Sequence, residues 1–368
     1  LAVISFHSLE DRLVKRFSRR MAGRRKHHIV RRKTMNKAVV ILSVLVLALA
    51  IALGLTFFSS EEITLAAEDL DQTELRIDSY VDPGHLLSVA SARNLMAIED
   101  DLVILDIRKA TDYALGHIPG AQNIFRGDYS ATEADYGFGG MRGSREQLEA
   151  LLGSLGVGQD TMILAYDAKG DYDAARLWWQ LDMNGFRNIK LIDGGIVAWE
   201  AAGFEISTVV PEVTPTDFTF TTAPNLNRVA SLADVEAAID DPNVILLDTR
   251  SLDEMTGESL KRGAIREGRI PGSVWLEDSA SLDSNKSFLD VDTLRAQFTD
   301  LGITPDKTII AYCQSGVRSA HTTFVLSQLL GYENVMNYDG SWIEWSFNEH
   351  LALETGMPAD VAARLANN

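Results

Sequence analysis

The sequence predicts an α/β protein made of two copies of one unit. Each copy is a parallel sheet with helices on both faces, and a single transmembrane or signal helix precedes the pair. Three observations predict this. Short apolar, β-branched runs such as "DLVILDI" and "NVILLDT" alternate with segments of helical spacing, the pattern of a parallel sheet covered on two sides. The soluble part repeats itself, with residues 163–199 answering 309–345 at a constant offset of 146 and without a gap. An uncharged run, "AVVILSVLVLALAIALGLTFF", fills residues 38–58 ahead of both copies.

From the amino end, residues 1–37 form a basic segment. They hold twelve of the 34 Lys and Arg, and only Glu10 and Asp11 of the 52 acidic residues, leaving 22 basic and 50 acidic residues for the remainder. Residues 1–17, "LAVISFHSLEDRLVKRF", resemble the C-terminal segment of the bacterial 16S rRNA cytosine-N4 methyltransferase, but nothing that would bind S-adenosylmethionine accompanies them. Met35 stands just before the apolar run, so residues 1–34 read as an extended start or a joined neighbouring frame; the alternative is a basic cytoplasmic arm.

The 21 residues of 38–58 suffice to cross a hydrocarbon core of about 30 Å. They read as a retained anchor, or as a signal cleaved near the small residues of "TLAAED". The flank "RRKHHIVRRKTMNK" should stay in the cytoplasm and put the acidic body outside it. Residues 59–78 are an acidic linker, 79–206 the first copy, 207–226 a Thr- and Pro-rich linker, 227–352 the second copy and 353–368 a tail.

Within the copies, "VILDIR" (103–108) answers "ILLDTR" (245–250), and "GHIPGA" (116–121) answers "GRIPGS" (268–273). The offset pairs Tyr166 with Tyr312, Gly170 with Gly316, Asp193 with Asp339 and Trp199 with Trp345. "REQLEALLGSLG" (145–156) and "VDTLRAQFTDLG" (291–302) have helical spacing and end at Gly. "TMILAY" and "KTIIAY" are second central strands, each followed by a loop and a helix.

Composition narrows the function. The net charge of −18 leaves the body without the positive face that phosphates need, so no nucleic-acid partner is expected. One cysteine excludes an internal disulfide and a multi-cysteine zinc site, and the seven histidines lack ligand spacing, so no metal or cofactor is expected.

That cysteine, Cys313, directly follows the strand "KTIIAY", and in open α/β sheets the carboxyl ends of strands are where ligands sit. The residues after it, Gln314, Ser315, Gly316, Val317, Arg318 and Ser319, lead into a helix beginning near Arg318 and running to Gly331. Such a loop turns backbone N–H groups toward its centre and adds a helix N-terminus. A thiolate there is stabilised, which implies nucleophilic chemistry. In the first copy the offset puts Asp167 in the same place.

The pattern strand–C-x-x-G-x-R-S–helix, preceded in each copy by D-x-R and G-[HR]-I-P-G and followed by D-G-[GS]-x-x-x-W, resembles the rhodanese family over about residues 79–350. The tandem form with an inactive first copy resembles thiosulfate and 3-mercaptopyruvate sulfurtransferases. That resemblance implies two rhodanese-like domains and a persulfide on Cys313. It also implies a small-molecule sulfur donor, thiosulfate or 3-mercaptopyruvate, and a thiophilic acceptor such as cyanide or a thiol. The loop amides from Gln314 to Ser319 would hold the persulfide. Arg318 either holds the donor's anionic end or pairs with a carboxylate such as Asp248. Asp248 and Arg250 either contact substrate or form a turn with an ion pair.

Phosphatases of similar fold use C-x5-R, whereas Arg318 stands one place nearer the cysteine, so the loop is too short to cradle a phosphoryl group well. "CQSGVRS" matches neither donor's usual loop in full. Ser251, Asp253 and Glu254 stand where some thiosulfate enzymes place a further Arg, yet thiosulfate remains the favoured donor. The competing class is a binding or sensing module whose thiol is persulfidated or oxidised without turnover. Trp342 and Trp345 are expected to pack rather than bind, and Gly268, Ile270, Pro271 and Gly272 to form turns.

Overall fold

The structure, a computed structural model, describes residues 72–367. The basic segment 1–37 and the apolar run 38–58 lie outside the described residues. Among the described residues no helix is long and apolar enough to cross a membrane.

In the described residues ten strands form two five-stranded sheets. The first contains β1 (Leu86–Leu87), β2 (Leu102–Asp106), β3 (Ala121–Asn123), β4 (Met162–Tyr166) and β5 (Ile189–Ile192) in the order β1-β5-β4-β2-β3. The second contains β6 (Val229–Ala230), β7 (Val244–Asp248), β8 (Val274–Trp275), β9 (Thr308–Tyr312) and β10 (Val335–Tyr338) in the order β6-β10-β9-β7-β8. Every pairing is parallel. The repeat read from the sequence is therefore a repeat of topology. β4 and β9 are the central strands, and four of the five residues in each are buried, as expected for strands covered on both faces.

The helices end where their glycines dictate. Arg145–Ser154 is capped by Ser144 and Val291–Thr299 by Asp290. Each stops two or three residues before the Gly that closes it. Gly156 (φ 79°) and Gly302 (φ 73°) take the left-handed conformation, and the N–H groups of Val157 and Ile303 reach back to Leu152 O and Phe298 O at 3.0 Å. The helix after Cys313 begins at Val317, one residue before its expected start. It widens to a π-type turn over Val325–Leu329, leaving Gln328 O and Leu329 O to accept N–H groups of Asp82 and Val81.

One apolar core runs between the copies, and two smaller ones fill the outer faces. At its centre the helices Tyr172–Met183 and Val317–Phe324, which follow the two central strands, meet where Trp178 packs edge-on against Phe324 at 4.9 Å. The stretches expected as linkers and tail are largely exposed where they are described, but each is anchored by a few buried side chains. Residues 72–78 are helical and bury Ile77 in the shared core. Phe218 and Phe220 of the 207–226 connection also join that core, and Phe218 stacks edge-on with Phe186 at 5.5 Å. The tail ends in the helix Ala359–Asn367, whose Val361 is buried. Their Thr, Pro and acidic residues suggested solvated chain, but a few well-spaced apolar side chains anchor each segment.

Candidate active site

Backbone strain and side-chain hydrogen bonds shape the loop leaving β9. Gly316 adopts φ 72°, and a Cβ there would lie 2.7 Å from Asp339 O and 2.8 Å from Arg176 Nη1, so only glycine fits. The hydroxyl of Ser341 accepts from Cys313 N (3.1 Å) and Gly316 N (2.9 Å) and donates to Tyr338 O (2.7 Å). Asn337 Nδ2 donates to Gly316 O at 2.9 Å, and Ser319 Oγ donates to Asn337 Oδ1 at 2.6 Å while lying 3.5 Å from Cys313 Sγ. The strand end, the β10 end and the following helix together hold the thiol in one place.

Cys313 is only 1% exposed. Burial pushes its thiol up, but the Arg318 charge, the Ser319 hydroxyl and the N–H groups of Ser319 and Ser315 outweigh burial and hold it below the ordinary cysteine value. Arg318 makes a two-pronged pair with Glu254 at 2.9 and 2.8 Å, so its carboxylate partner is not Asp248. Burial raises the Glu254 carboxyl, and the Arg318 pair more than offsets that and leaves it low. Asp278 faces the same guanidinium. Burial, with Glu277 beside it, pushes its carboxyl up to about 7 against the pull of Arg318.

Cys313, Gln314, Ser315, Val317 and Arg318 line a cleft of ≈ 580 Å³. Gly316 and Ser319 lie buried behind it as supports. Asp248 and Arg250 are not brought to the cleft wall. They pair with each other at 2.6–3.2 Å, 0% and 1% exposed, and Arg250 also donates to Gly268 O at 2.9 Å. Tyr312 Oη donates to Asp248 at 2.9 Å, and the Arg250 guanidinium lies 4.7 Å from the Trp342 ring centre. The D-x-R pair thus ties the G-R-I-P-G turn to β7 and β9. The first copy repeats this with Asp106, Arg108 and Gly116 O.

The equivalent loop of the first copy is filled from within. Asp167 accepts from the N–H groups of Lys169 (2.7 Å), Asp171 (3.0 Å), Asp173 (2.7 Å) and Ala174 (3.3 Å). Burial and Asp173 push its carboxyl up to about 6, and those N–H groups pull it back. Both of its oxygens accept N–H groups, two each, an arrangement that suits the ionised form.

The first copy also builds the far half of the cleft, with Arg126, Lys169 and Tyr172. Lys261, Arg262, Glu277, Asp278, Ser279 and Lys286 of the second copy complete it. None of these was legible as a site residue, because the offset aligns the copies without saying how they pack. The repeated Asp before Gly was visible, but its role was not. Asp339 accepts from buried Arg176 (2.6 Å) and from Arg142 N (3.1 Å) and Nη1 (2.8 Å), all of the first copy. Asp193 accepts from Phe288 N of the second copy at 2.9 Å and from Arg76 at 2.5 Å. Each copy's Asp is a clasp on the other. The available signal was that both copies keep it although only one keeps the cysteine. Among the described residues, no group of His, Cys, Asp and Glu is arranged to hold a metal.

Residues 88–202 and 231–348 each match the Rhodanese-like domain. The chain is 34% identical over 257 residues to the thiosulfate sulfurtransferase of Azotobacter vinelandii, covering 69% of this chain and 91% of that protein. It is 33% identical over 261 residues to the sulfur carrier protein TtuD of Thermus thermophilus, covering 68% and 87%. Among solved structures, the anaerobic ergothioneine biosynthesis enzyme from Chlorobium limicola aligns with a TM-score of 0.68 over 76% of this chain and 72% of that one. At 24% identity that likeness is one of fold.

Proposed function

This chain belongs to the rhodanese family, and from that membership we propose that it is a sulfurtransferase moving sulfane sulfur from thiosulfate to cyanide or a thiol through a persulfide on Cys313. The observation that carries the reading is Asp167. A carboxylate oxygen stands as many bonds from Cα as the terminal sulfur of a cysteine persulfide. The first copy thus holds an anion in the position that a Cys313 persulfide would occupy, bound by N–H groups two, four, six and seven residues on. The corresponding N–H groups are those of Ser315, Val317, Ser319 and Ala320, and two of them, Ser315 and Ser319, already stabilise the thiolate.

In the reaction the Cys313 thiolate attacks the outer sulfur of thiosulfate. The sulfur–sulfur bond breaks and sulfite leaves with the electron pair. The persulfide anion rests on the loop amides, which are aimed before the charge arrives. Cyanide or a thiolate then attacks the terminal sulfur, and the Cys313 thiolate is regenerated. Arg318 supplies positive charge beside the thiol, while its pair with Glu254 keeps it in place. 3-Mercaptopyruvate is the alternative donor. The similarity to a sulfur carrier protein supports a second reading, in which the persulfide forms and is held for a partner without cyanide turnover. For placement we propose anchoring, or export, through residues 38–58, supported by that run and its basic flank.

The test is thiocyanate formation from cyanide by the full chain, with thiosulfate and 3-mercaptopyruvate compared and Cys313→Ser as control. Turnover that the control lacks is expected, with the larger kcat/KM for thiosulfate. A protein persulfide that forms without thiocyanate would favour the carrier. No persulfide from either donor would overturn both readings.

A further inference from the structure

The cleft is larger than thiosulfate, a five-atom ion, requires, and its charges are unevenly matched. Two of its cations are neutralised in place, Arg126 by Asp173 and Arg318 by Glu254. Lys169, Lys261, Arg262 and Lys286 have no ion-pair partner among the described residues, although the body around them is strongly acidic. Of the four, Lys169 comes from the first copy and Lys286 from a left-handed turn packed against it.

Lys286 sits in an unusual backbone conformation. It occupies the turn closing the Leu282–Phe288 bridge, where Asp283 N donates to Ser287 O (2.8 Å) and Asp283 Oδ1 accepts from Asn285 N (2.8 Å) and Ser287 N (3.0 Å). These bonds hold Lys286 at φ 68°, a left-handed position that glycine fills without strain and a long side chain does not. The turn lies against the first copy's loop, where a Cβ on Gly170 would come 3.0 Å from Lys286 O. Lys169, next to Gly170, approaches from that side. Its Nζ donates to Tyr172 Oη at 2.8 Å and stands 5.2 Å from the ring centre. Two ammonium groups from two copies thus line one cleft without an ion-pair partner, one of them on a left-handed residue.

We propose that Lys286 and Lys169 form an anion subsite for the carboxylate of the sulfur acceptor, making the enzyme selective for acidic low-molecular-weight thiols over neutral ones. This rests on the persulfide reading of Cys313. In the step concerned the acceptor thiolate attacks the terminal sulfur, a new sulfur–sulfur bond forms, and the bond to Cys313 Sγ breaks with its electron pair returning to the thiolate. Charge is conserved and no external oxidant or reductant enters. The donor's charge is met on the cleft floor by the loop amides. An acidic thiolate approaching an anionic persulfide needs cations at the rim, where both lysines are exposed.

The test compares mercaptosuccinate with 2-mercaptoethanol as acceptors, using thiosulfate as donor and the full chain as wild type, Lys286→Gly and Lys169→Gln. The ratio of kcat/KM for the acidic over the neutral thiol is expected to fall about tenfold in Lys286→Gly, and less at high salt. The same variant should unfold at a higher Tm, because glycine relieves the left-handed turn. Lys169→Gln should lower the ratio without raising Tm. An unchanged ratio in both variants, or equal loss with both thiols, would overturn the subsite. If the wild type moves no sulfur, the functional reading fails instead, and calorimetry with succinate decides the subsite. Binding about tenfold weaker in Lys286→Gly would sustain it, and no binding by the wild type would remove it.

Discussion

At the Cys313 thiol burial is opposed by the Arg318 charge and by hydrogen bonds from the loop, and these together prevail. Arg318→Gln should therefore move the pH midpoint of iodoacetamide alkylation upward, whereas an unchanged midpoint would assign the stabilisation to the amides alone. Asp278 tests the cleft from the acid side. With its carboxyl pushed up to about 7, the folded protein keeps a proton that the unfolded chain releases near pH 4. Its contribution to stability is full below about pH 4 and lost as pH rises through about 7. Asp278→Asn should flatten the fall in Tm between pH 4.5 and 8; a fall as steep as in the wild type would refute this. At this scale the sequence was partly legible. Cys313 and its loop announced themselves by motif and by position after a strand. The roles of Asp248 and Arg250 did not, because a buried ion pair and a substrate contact use the same residue types, and only the direction of the side chains separates them.

The helix leaving Cys313 is held from both ends by groups of the other copy. Arg176 donates to Gly316 O (3.1 Å) and to Asp339 (2.6 Å) with no exposure to solvent. Asp339→Asn leaves that guanidinium buried without its counter-charge, and we expect a loss of about 3–5 kcal/mol in urea unfolding. Sulfur transfer should also slow, since the same arginine steadies the Cys313 loop. Asp193→Asn should cost less, because its partner Arg76 is partly exposed. Equal costs would show that burial does not set the strength of the clasps. Strands and helices were read correctly in kind because a period of two or 3.6 survives in the residue order. The π-type turn at Val325–Leu329 was not, since the N–H groups of Val81 and Asp82 that share its carbonyls lie far away in the chain.

Across the whole molecule, the shared core joins Trp178 and Phe324 to side chains from both sheets, so the copies should unfold together. Calorimetry of the full chain is expected to show one transition for residues 72–367, and hydrogen exchange should give β4 and β9 the same protection. Two resolved transitions would mean that the core between the copies is weaker than its aromatic packing implies. The duplication was legible from the fixed offset, but the face on which the copies meet was not, since both faces of each sheet are apolar.

Asp167 carries a consequence for experiment. Its loop already holds negative charge at the distance from the backbone that the terminal sulfur on Cys313 reaches only during the reaction, in the same molecule and solvent. The amides of Lys169 and Asp173 therefore serve as an internal reference for those of Ser315 and Ser319. When a sulfur donor is added, the second pair of amide resonances should migrate toward the positions of the first, and the distance still separating them would measure how completely the active loop has been charged.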